Sequence, residues 1–115
     1  MSIIFSEPNI AMVGAPWSSL DEDSVLVGRQ RFGPNGRALI MGQNRGLLKL
    51  YADRRSGLVL GGAMVGPRCE HLAHLLAWGI QCRMTVDEMV KMPFYHPVIE
   101  LALQECLHLV GILLA

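Results

Sequence analysis

The stretch GLLKLYADRRSGLVLGGAMVGPRCEHLAHLLAWGI, residues 46–80, decides the fold because its hydrophobic period changes halfway along. Apolar runs at 47–52 and 57–66 flank the segment DRRSG, whose composition is typical of a turn between two strands. After residue 67, apolar side chains recur at helical spacing: Leu72, Leu75, Leu76 and Ile80. The stretch therefore predicts two antiparallel strands followed by a helix.

Further strands are predicted on the N-terminal side of this stretch, at 3–5, 25–32 and 38–41. The pair Asn35-Gly36 in GPNG tolerates the positive φ angles of a tight hairpin turn. Because turns rather than helices join these segments, the sheet is expected to be antiparallel.

Two more helices are predicted on the C-terminal side. Thr85 and Glu88 form the pattern of a capping box, and Pro93 ends the short helix that follows. A third helix is expected to begin near Pro97 and to carry Leu103 and Leu107. The fold class predicted is α+β, with an antiparallel β-sheet of about four to five strands in the N-terminal half and about three helices in the C-terminal half packed on one face.

The overall composition limits the class of partner. The 115 residues suit a single domain, 1–115, and 51% of them are hydrophobic while 17% are charged. Lys+Arg and Asp+Glu number ten each, which gives no electrostatic support for binding nucleic acid or an anionic membrane. This apolar content is high for a small chain, which favours a domain that buries surface against a partner.

A cytoplasmic location is expected. The N-terminal residues lack the basic and apolar regions of a signal peptide, and no apolar run reaches the roughly 18–20 residues of a membrane span. Cys69, Cys82 and Cys106 are an odd number of widely spaced cysteines, a pattern that fits a reducing compartment.

The segment MPFYHPVIEL, residues 92–101, carries the strongest candidate for chemistry, His96. Histidine titrates near neutral pH, so it can act as a general acid or base. If residues 97–100 are helical, Glu100 lies one turn from His96 and can orient its imidazole. Spacing alone favours the simpler interpretation, in which His96 is a helix-entry residue and Glu100 is a solvated helix position.

Three other features have weaker functional interpretations. Glu70, His71 and His74 lie on one predicted helix, but they lack a further metal ligand at a suitable spacing. The glycines of 57–66 are expected to permit bulges or close backbone approach in a strand, because the order of a phosphate-binding loop is missing. Trp17 and Trp78 are expected to be packing residues rather than stacking platforms.

The apolar C-terminal segment LHLVGILLA, residues 107–115, has two interpretations. It either packs on its own domain or forms a contact between subunits.

Three segments in this order carry a family resemblance: IIFSEPNIAMVG at 3–14, the run from Asn35 to Ile80 and TVDEMVKMPFYHPVIE at 85–100. Together they resemble the C-terminal dimerisation domain of the flavin-dependent pyridine nucleotide–disulfide oxidoreductases. The MPFYHP variant looks closest to bacterial dihydrolipoamide dehydrogenase-like members of that family.

The resemblance implies a homodimer in which His96 reaches into the partner's active site as acid–base catalyst for dithiol–disulfide exchange. It places Tyr95 and Pro97 near the partner's flavin and disulfide, and it implies a cis peptide bond before Pro97. The carboxylate that usually partners the histidine falls at Leu101 here, so Glu100 is one residue out of the family register.

The chain lacks the other parts of such an enzyme. It contains neither a dinucleotide-binding glycine fingerprint nor a CxxxxC redox pair, so the FAD- and NAD-binding domains are absent. FAD and NAD(P) are therefore expected in the parent enzyme, with none bound by this chain alone, and this chain alone is not expected to be active. The alternative is a free-standing, non-catalytic self-association module that retains the fold. The choice of disulfide substrate and of NADH or NADPH belongs largely to the missing domains.

Overall fold

A computed structural model of the protein describes residues 1–5, 9–31, 46–66, 68–95 and 98–114. The strands in these ranges are β1 (Ser2–Ile4), β2 (Asn9–Gly14), β3 (Val25–Arg31), β4 (Leu47–Asp53) and β5 (Val59–Gly66). A 3-10 turn spans Trp17–Ser19, and the helices are α1 (Cys69–Gln81), α2 (Val86–Val90) and α3 (Leu101–Leu114). The predicted α+β class, with strands first and helices second, is confirmed.

The strands form one five-stranded sheet in the order β1-β2-β5-β4-β3. Every neighbouring pair is antiparallel, as predicted. The central strand β5 pairs with β4, its neighbour in sequence, and with β2 from the start of the chain. The N-terminal strands therefore join the sheet through a long-range pairing.

The helices cover one face of this sheet, because small residues on that face let them approach closely. α1 lies on β2 and β5, and α3 lies on β3 and β4. A Cβ added at Gly62 would meet the Leu76 side chain at 2.8 Å, and one added at Gly28 would meet Val110 at 2.5 Å. The core between sheet and helices includes Leu48, Leu50, Leu72, Leu76, Leu103, Leu107 and Val110, all fully buried or nearly so.

The strand predictions need two corrections. Strand β2 was not predicted, because NIAMVG is short and follows a proline-containing segment without clear alternation. Strand β5 begins at Val59 rather than at Gly57, whose φ of +74° belongs to the preceding turn. The predicted strand at 38–41 and the hairpin turn at 33–36 lie outside the described residues.

The glycines of β5 accompany an irregular sheet register, as predicted. Tyr51 pairs with Gly61 and Ala52 pairs with Val59, so Leu60 is the extra residue of a bulge. The Leu60 carbonyl accepts a hydrogen bond from the Ala15 amide at 3.0 Å instead. The bulge thus leaves this carbonyl satisfied by the segment that follows β2.

The first two helices match their sequence signals. The Thr85 hydroxyl accepts from the Glu88 amide at 3.2 Å, and the Glu88 carboxylate accepts from the Thr85 amide at 3.1 Å. This capping box opens α2, which ends at Val90, before Pro93. Gly79 is a close-packing position between α1 and α2, because a Cβ there would lie 2.7 Å from the Met89 sulfur.

The third helix begins at Leu101 and not near Pro97. The amides of Leu101 and Ala102 donate to the carbonyls of Val98 and Ile99 at 3.3 and 3.0 Å, which are i−3 bonds of a tight entry turn. Proline suits a first helical turn, but here the turn at 98–100 comes before the α-helical hydrogen bonds.

Candidate functional site

An apolar groove of about 480 Å³ opens between α1, α2 and the start of α3. Its lining consists of Leu75, Trp78, Gly79, Met84, Met89, Met92, Pro93, Phe94, Tyr95, Val98, Glu100 and Leu103. Glu100 is the charged residue of this set, and three of the others are methionines, whose flexible side chains adapt to irregular partners.

The floor of the groove is rigidly held. Gly79 allows Met89 of α2 to lie directly against α1, and Met89 and Leu103 are both buried. The Met84 amide donates to the Gly79 carbonyl at 2.9 Å, so the connection between α1 and α2 is fixed at its start. The Val86 amide donates to the Gly57 carbonyl at 2.8 Å, which ties α2 to the sheet.

The rim of the groove exposes aromatic and sulfur-containing side chains. Trp78 is 68% exposed, Tyr95 is 78% exposed and Met92 is 48% exposed. The packing role predicted for Trp78 is therefore wrong, because the buried side of α1 is formed by other residues of the helix. Trp17 does pack, with its ring 5.3 Å from the ring of Tyr51.

His96 and Pro97 lie outside the described residues, so their predicted roles stay predictions. The residues on either side of them, Tyr95 and Val98, both line the groove. The described residues on both sides of His96 and Pro97 therefore lie at the groove.

Glu100 is half-buried and lines the same groove. Its backbone carbonyl accepts from the amides of Leu103 and Gln104 at 3.0 and 3.2 Å, so its backbone is fixed by the first turn of α3. Glu100 precedes the first residue of α3, and its side chain lines the groove. The predicted pairing of Glu100 with His96 stays a prediction, because His96 lies outside the described residues.

The polar side chains at the start of α1 contact one another and nearby polar groups. The Glu70 carboxylate accepts a hydrogen bond from the side-chain Nδ2 of Asn9 and lies 3.5 Å from His71 Nε2. His74 Nδ1 lies 2.6 Å from the Glu70 backbone oxygen. Within the described part of the chain, no group of three or more His, Cys, Asp or Glu side chains could hold a metal ion.

The glycines of β5 do not form a nucleotide-binding loop. Gly61 and Gly62 pair with residues of both β2 and β4 in the middle of the sheet. A phosphate-binding loop needs free backbone amides between a strand and the first turn of a helix. The glycines of β5 therefore do not form a site for the pyrophosphate of FAD or NAD(P).

The cysteines give no redox pair. Cys69 and Cys106 are buried and Cys82 is exposed, and all three are free thiols. Burial raises the pKa of Cys69 to about 12, and the nearby Glu70 carboxylate adds to the rise. Burial likewise raises the pKa of Cys106 to about 12. Thiols with such pKa values stay protonated near neutral pH and are poor nucleophiles.

Both interpretations of the C-terminal segment find support within the described residues. Leu107 and Val110 of α3 are fully buried on the domain's own core. Leu109, Ile112 and Leu113 are 41%, 71% and 56% exposed. None of the helices in the described ranges is long and apolar enough to cross a membrane.

The domain thus consists of an antiparallel sheet covered on one face by its own helices, with an open groove that Trp78, Phe94 and Tyr95 help to line. The family model for the pyridine nucleotide-disulphide oxidoreductase dimerisation domain matches residues 1–107. The chain belongs to this family, whose description implies self-association and further domains in a parent oxidoreductase.

Curated relatives share this region. The chain is 32% identical over 104 residues to the dihydrolipoyl dehydrogenase of Haloferax volcanii, with 89% of this chain and 22% of that protein covered. It is 34% identical over 97 residues to the NAD(P)H dehydrogenase (quinone) of Mycobacterium tuberculosis, with 82% of this chain and 20% of that protein covered. The chain thus spans about a fifth of the length of these relatives.

A solved crystal structure shares this fold. The crystal structure of LpdA from Mycobacterium tuberculosis superposes with a TM-score of 0.87 at 27% identity, with 95% of this chain and 24% of that chain covered. The sequence resemblance to the dimerisation domain is therefore confirmed. Sequence reasoning did not find the groove, because its lining comes from three separate segments that meet only in the folded domain.

Proposed function

We propose that this chain is the dimerisation and active-site-completing domain of an FAD-dependent NAD(P)H–disulfide oxidoreductase of the dihydrolipoyl dehydrogenase type. His96 then serves as acid–base catalyst at the redox disulfide of the partner subunit. The observation that carries this proposal is that the family match over residues 1–107 contains the whole MPFYHPVIEL segment. The dihydrolipoyl dehydrogenase relatives, which cover about nine-tenths of the chain, support it.

The chemistry required of His96 is a proton transfer. A thiolate rather than a thiol attacks a disulfide, so the imidazole accepts the proton of the substrate thiol. The new sulfur–sulfur bond forms as the partner's disulfide bond breaks, and one cysteine sulfur of that disulfide leaves as a thiolate. In the reverse direction the imidazolium returns that proton to the leaving thiolate. The groove residues Tyr95 and Val98 flank the histidine and shape the surface that meets the partner's substrate pocket.

Glu100 takes the part of the carboxylate partner in this proposal. Leu101 occupies the position at which the family places that carboxylate, and a leucine cannot orient or charge-stabilise an imidazole. The Glu100 side chain lines the groove into which the chain re-enters after Pro97. A carboxylate held there is close in sequence to His96 without depending on helical register.

The remaining parts of the enzyme come from outside this chain. FAD and NAD(P) are held by further domains of the parent enzyme, with Tyr95 and Pro97 near the partner's flavin and disulfide. The single domain 1–115 contributes the homodimer contact, and the assembly works in the cytoplasm. One relative is named for quinone reduction, so an assay of the parent enzyme needs both a dithiol and a quinone substrate.

The test is turnover by the complete enzyme, assembled from this chain and the FAD- and NAD(P)-binding domains. His96→Gln is expected to lower dihydrolipoamide oxidation by about 10²-fold or more, because the proton acceptor is lost. His108→Gln is the matched control, since His108 is an exposed histidine on α3. Full turnover by the His96 variant would remove the catalytic assignment.

A second candidate is a free-standing self-association module without catalysis, favoured by Leu101 at the family's carboxylate position. It predicts a stable dimer that yields no dithiol or quinone turnover with any FAD- and NAD(P)-binding domains supplied. Activity in the assembled enzyme that depends on His96 would exclude it.

A further inference from the structure

The groove has an exposed tryptophan, Trp78, at its rim. Trp78 is 68% exposed at the rim, while Gly79, the next residue, contributes to the floor. The indole is therefore left in solvent beside a cavity of about 480 Å³ that apolar side chains line. Tryptophan carries the large apolar area that dominates protein interfaces, and it is enriched among their energetic hot spots.

We propose that Trp78 of one copy inserts into the groove of a second copy, and that the second Trp78 fills the groove of the first. This inference rests on the proposed function, because it names the anchor of the self-association that the family implies. In a two-fold dimer each contact is made twice by the same patch. A protruding side chain next to a cavity on one face is self-complementary under that symmetry.

The groove suits an indole in chemistry as well as in size. Met84, Met89 and Met92 line it, and thioether sulfurs make favourable contacts with aromatic ring edges. A buried indole N–H needs an acceptor, and the Glu100 carboxylate provides one among the lining residues. A carboxylate has about four acceptor sites, so an indole N–H and an imidazole can share it.

Insertion of Trp78 into a partner's groove would also explain why the rim of the groove carries exposed apolar side chains. Met92 and Tyr95 are exposed beside Trp78, and an apolar rim excludes water from an interface centre once a partner covers it. Apolar side chains of this size are common at interfaces and are less usual together on a surface that faces solvent.

The first experiment uses the full chain with Trp17→Phe, which leaves Trp78 as the only tryptophan. Fluorescence and sedimentation equilibrium are measured over the same concentration range. The expected result is dimerisation accompanied by a shift of the Trp78 emission to shorter wavelength at the same midpoint. A dimer whose Trp78 emission does not move would overturn the inference and leave self-association standing.

Two other outcomes also contradict the insertion. A chain that stays monomeric at every concentration would overturn both this inference and the self-association on which it rests. Emission that shifts only when the FAD- and NAD(P)-binding domains are added would assign the groove to those domains instead of to a second copy.

The second experiment measures the dimer dissociation constant of Trp78→Ala. Each lost hot-spot side chain weakens binding by about 30-fold or more, and a two-fold dimer loses two of them. Met12→Ala is the control, because Met12 is 51% exposed on β2 and does not line the groove. Equal dissociation constants for the two variants, with unchanged circular dichroism, would contradict the proposed anchor.

Discussion

Two regions of the molecule are rich in apolar side chains but differ in how far these are buried. One is the seam, the contact between α3 and the sheet. The other is the groove between α1, α2 and α3. In the seam, Leu50 and Leu107 are fully buried, and Gly28 lets Val110 lie directly on β3. In the groove, Trp78 and Met92 remain largely in solvent. Apolar content alone therefore does not tell whether a surface is closed by its own chain or by a partner.

The difference arises from what faces each surface. In the seam, the fourteen-residue helix α3 packs on two adjacent strands, β3 and β4, so each of the two surfaces in contact is unbroken. The groove is bounded by a helix of five residues and by the turn at 98–100, which are too short to cover α1. Stability is thus expected to depend on the seam, and association on the groove.

The largest expected effect on stability comes from removing a buried side chain from the seam. Leu107→Ala is expected to lower the free energy of unfolding by about 2–5 kcal/mol, because it leaves a cavity under α3. Leu113→Ala in the same helix removes a side chain that is 56% exposed and should change it by about 0.5 kcal/mol or less. Urea unfolding at low protein concentration measures both, and equal losses would contradict a seam that closes without a partner.

A smaller effect is expected from adding a methyl group to the seam. Gly28→Ala places a Cβ 2.5 Å from Val110 and 3.0 Å from the Cys106 carbonyl, so it should destabilise the fold by about 1–3 kcal/mol. Gly111→Ala on the outer side of α3 meets nothing within 4 Å. It should stabilise the helix by about 0.5–1 kcal/mol, because alanine loses less backbone entropy than glycine.

These two alanine variants change stability in opposite directions, which thermal or urea unfolding resolves directly. Destabilisation by Gly111→Ala would show that the outer side of α3 is packed against something. A neutral Gly28→Ala would show that α3 can shift away from the sheet at low cost.

The smallest expected effect concerns the turn between β4 and β5 at the end of the seam. The Asp53 carboxylate accepts from the Ser56 amide and hydroxyl, both at 2.8 Å, and these bonds lower its pKa below its ordinary value. A lowered folded-state pKa adds stability above the unfolded-state pKa, and that stability is lost as the pH falls through the folded-state value.

Asp53→Asn keeps an acceptor but removes the titration. The wild-type chain is therefore expected to be slightly more stable than this variant near neutral pH, with the gap closing as the pH falls below the ordinary aspartate pKa. Urea midpoints at several acidic pH values measure the gap. A gap that does not change with pH would mean that the charge of Asp53 contributes nothing.

The parts of the fold that local patterns determine were predictable from the sequence. The change from strand to helix period near residue 67 and the capping box at Thr85 both act within a few residues, and both predictions are confirmed. Strand β2 depends on pairing with β5, and the start of α3 depends on the turn at 98–100. Neither is encoded locally, so the periodicity of the sequence did not give them.

The candidate site was predictable only through its motif. MPFYHPVIEL pointed to His96 and Glu100, and that catalytic assignment stays a prediction. The groove joins residues near 75–79, 84–95 and 98–103, which come together only once α1 and α2 have packed. Local hydrophobicity could not distinguish Trp78 at its rim from a core residue.

The pairing of β2 with β5 also has a consequence for how the chain folds. β3, β4 and β5 form consecutive antiparallel neighbours, so each can pair as soon as the next strand exists. β1 and β2 must wait for β5, and the entropy of closing that long loop is lost before their contacts form. During synthesis β1 and β2 therefore emerge before β5 and join the sheet late, with their exposed strand edges unpaired in the interval.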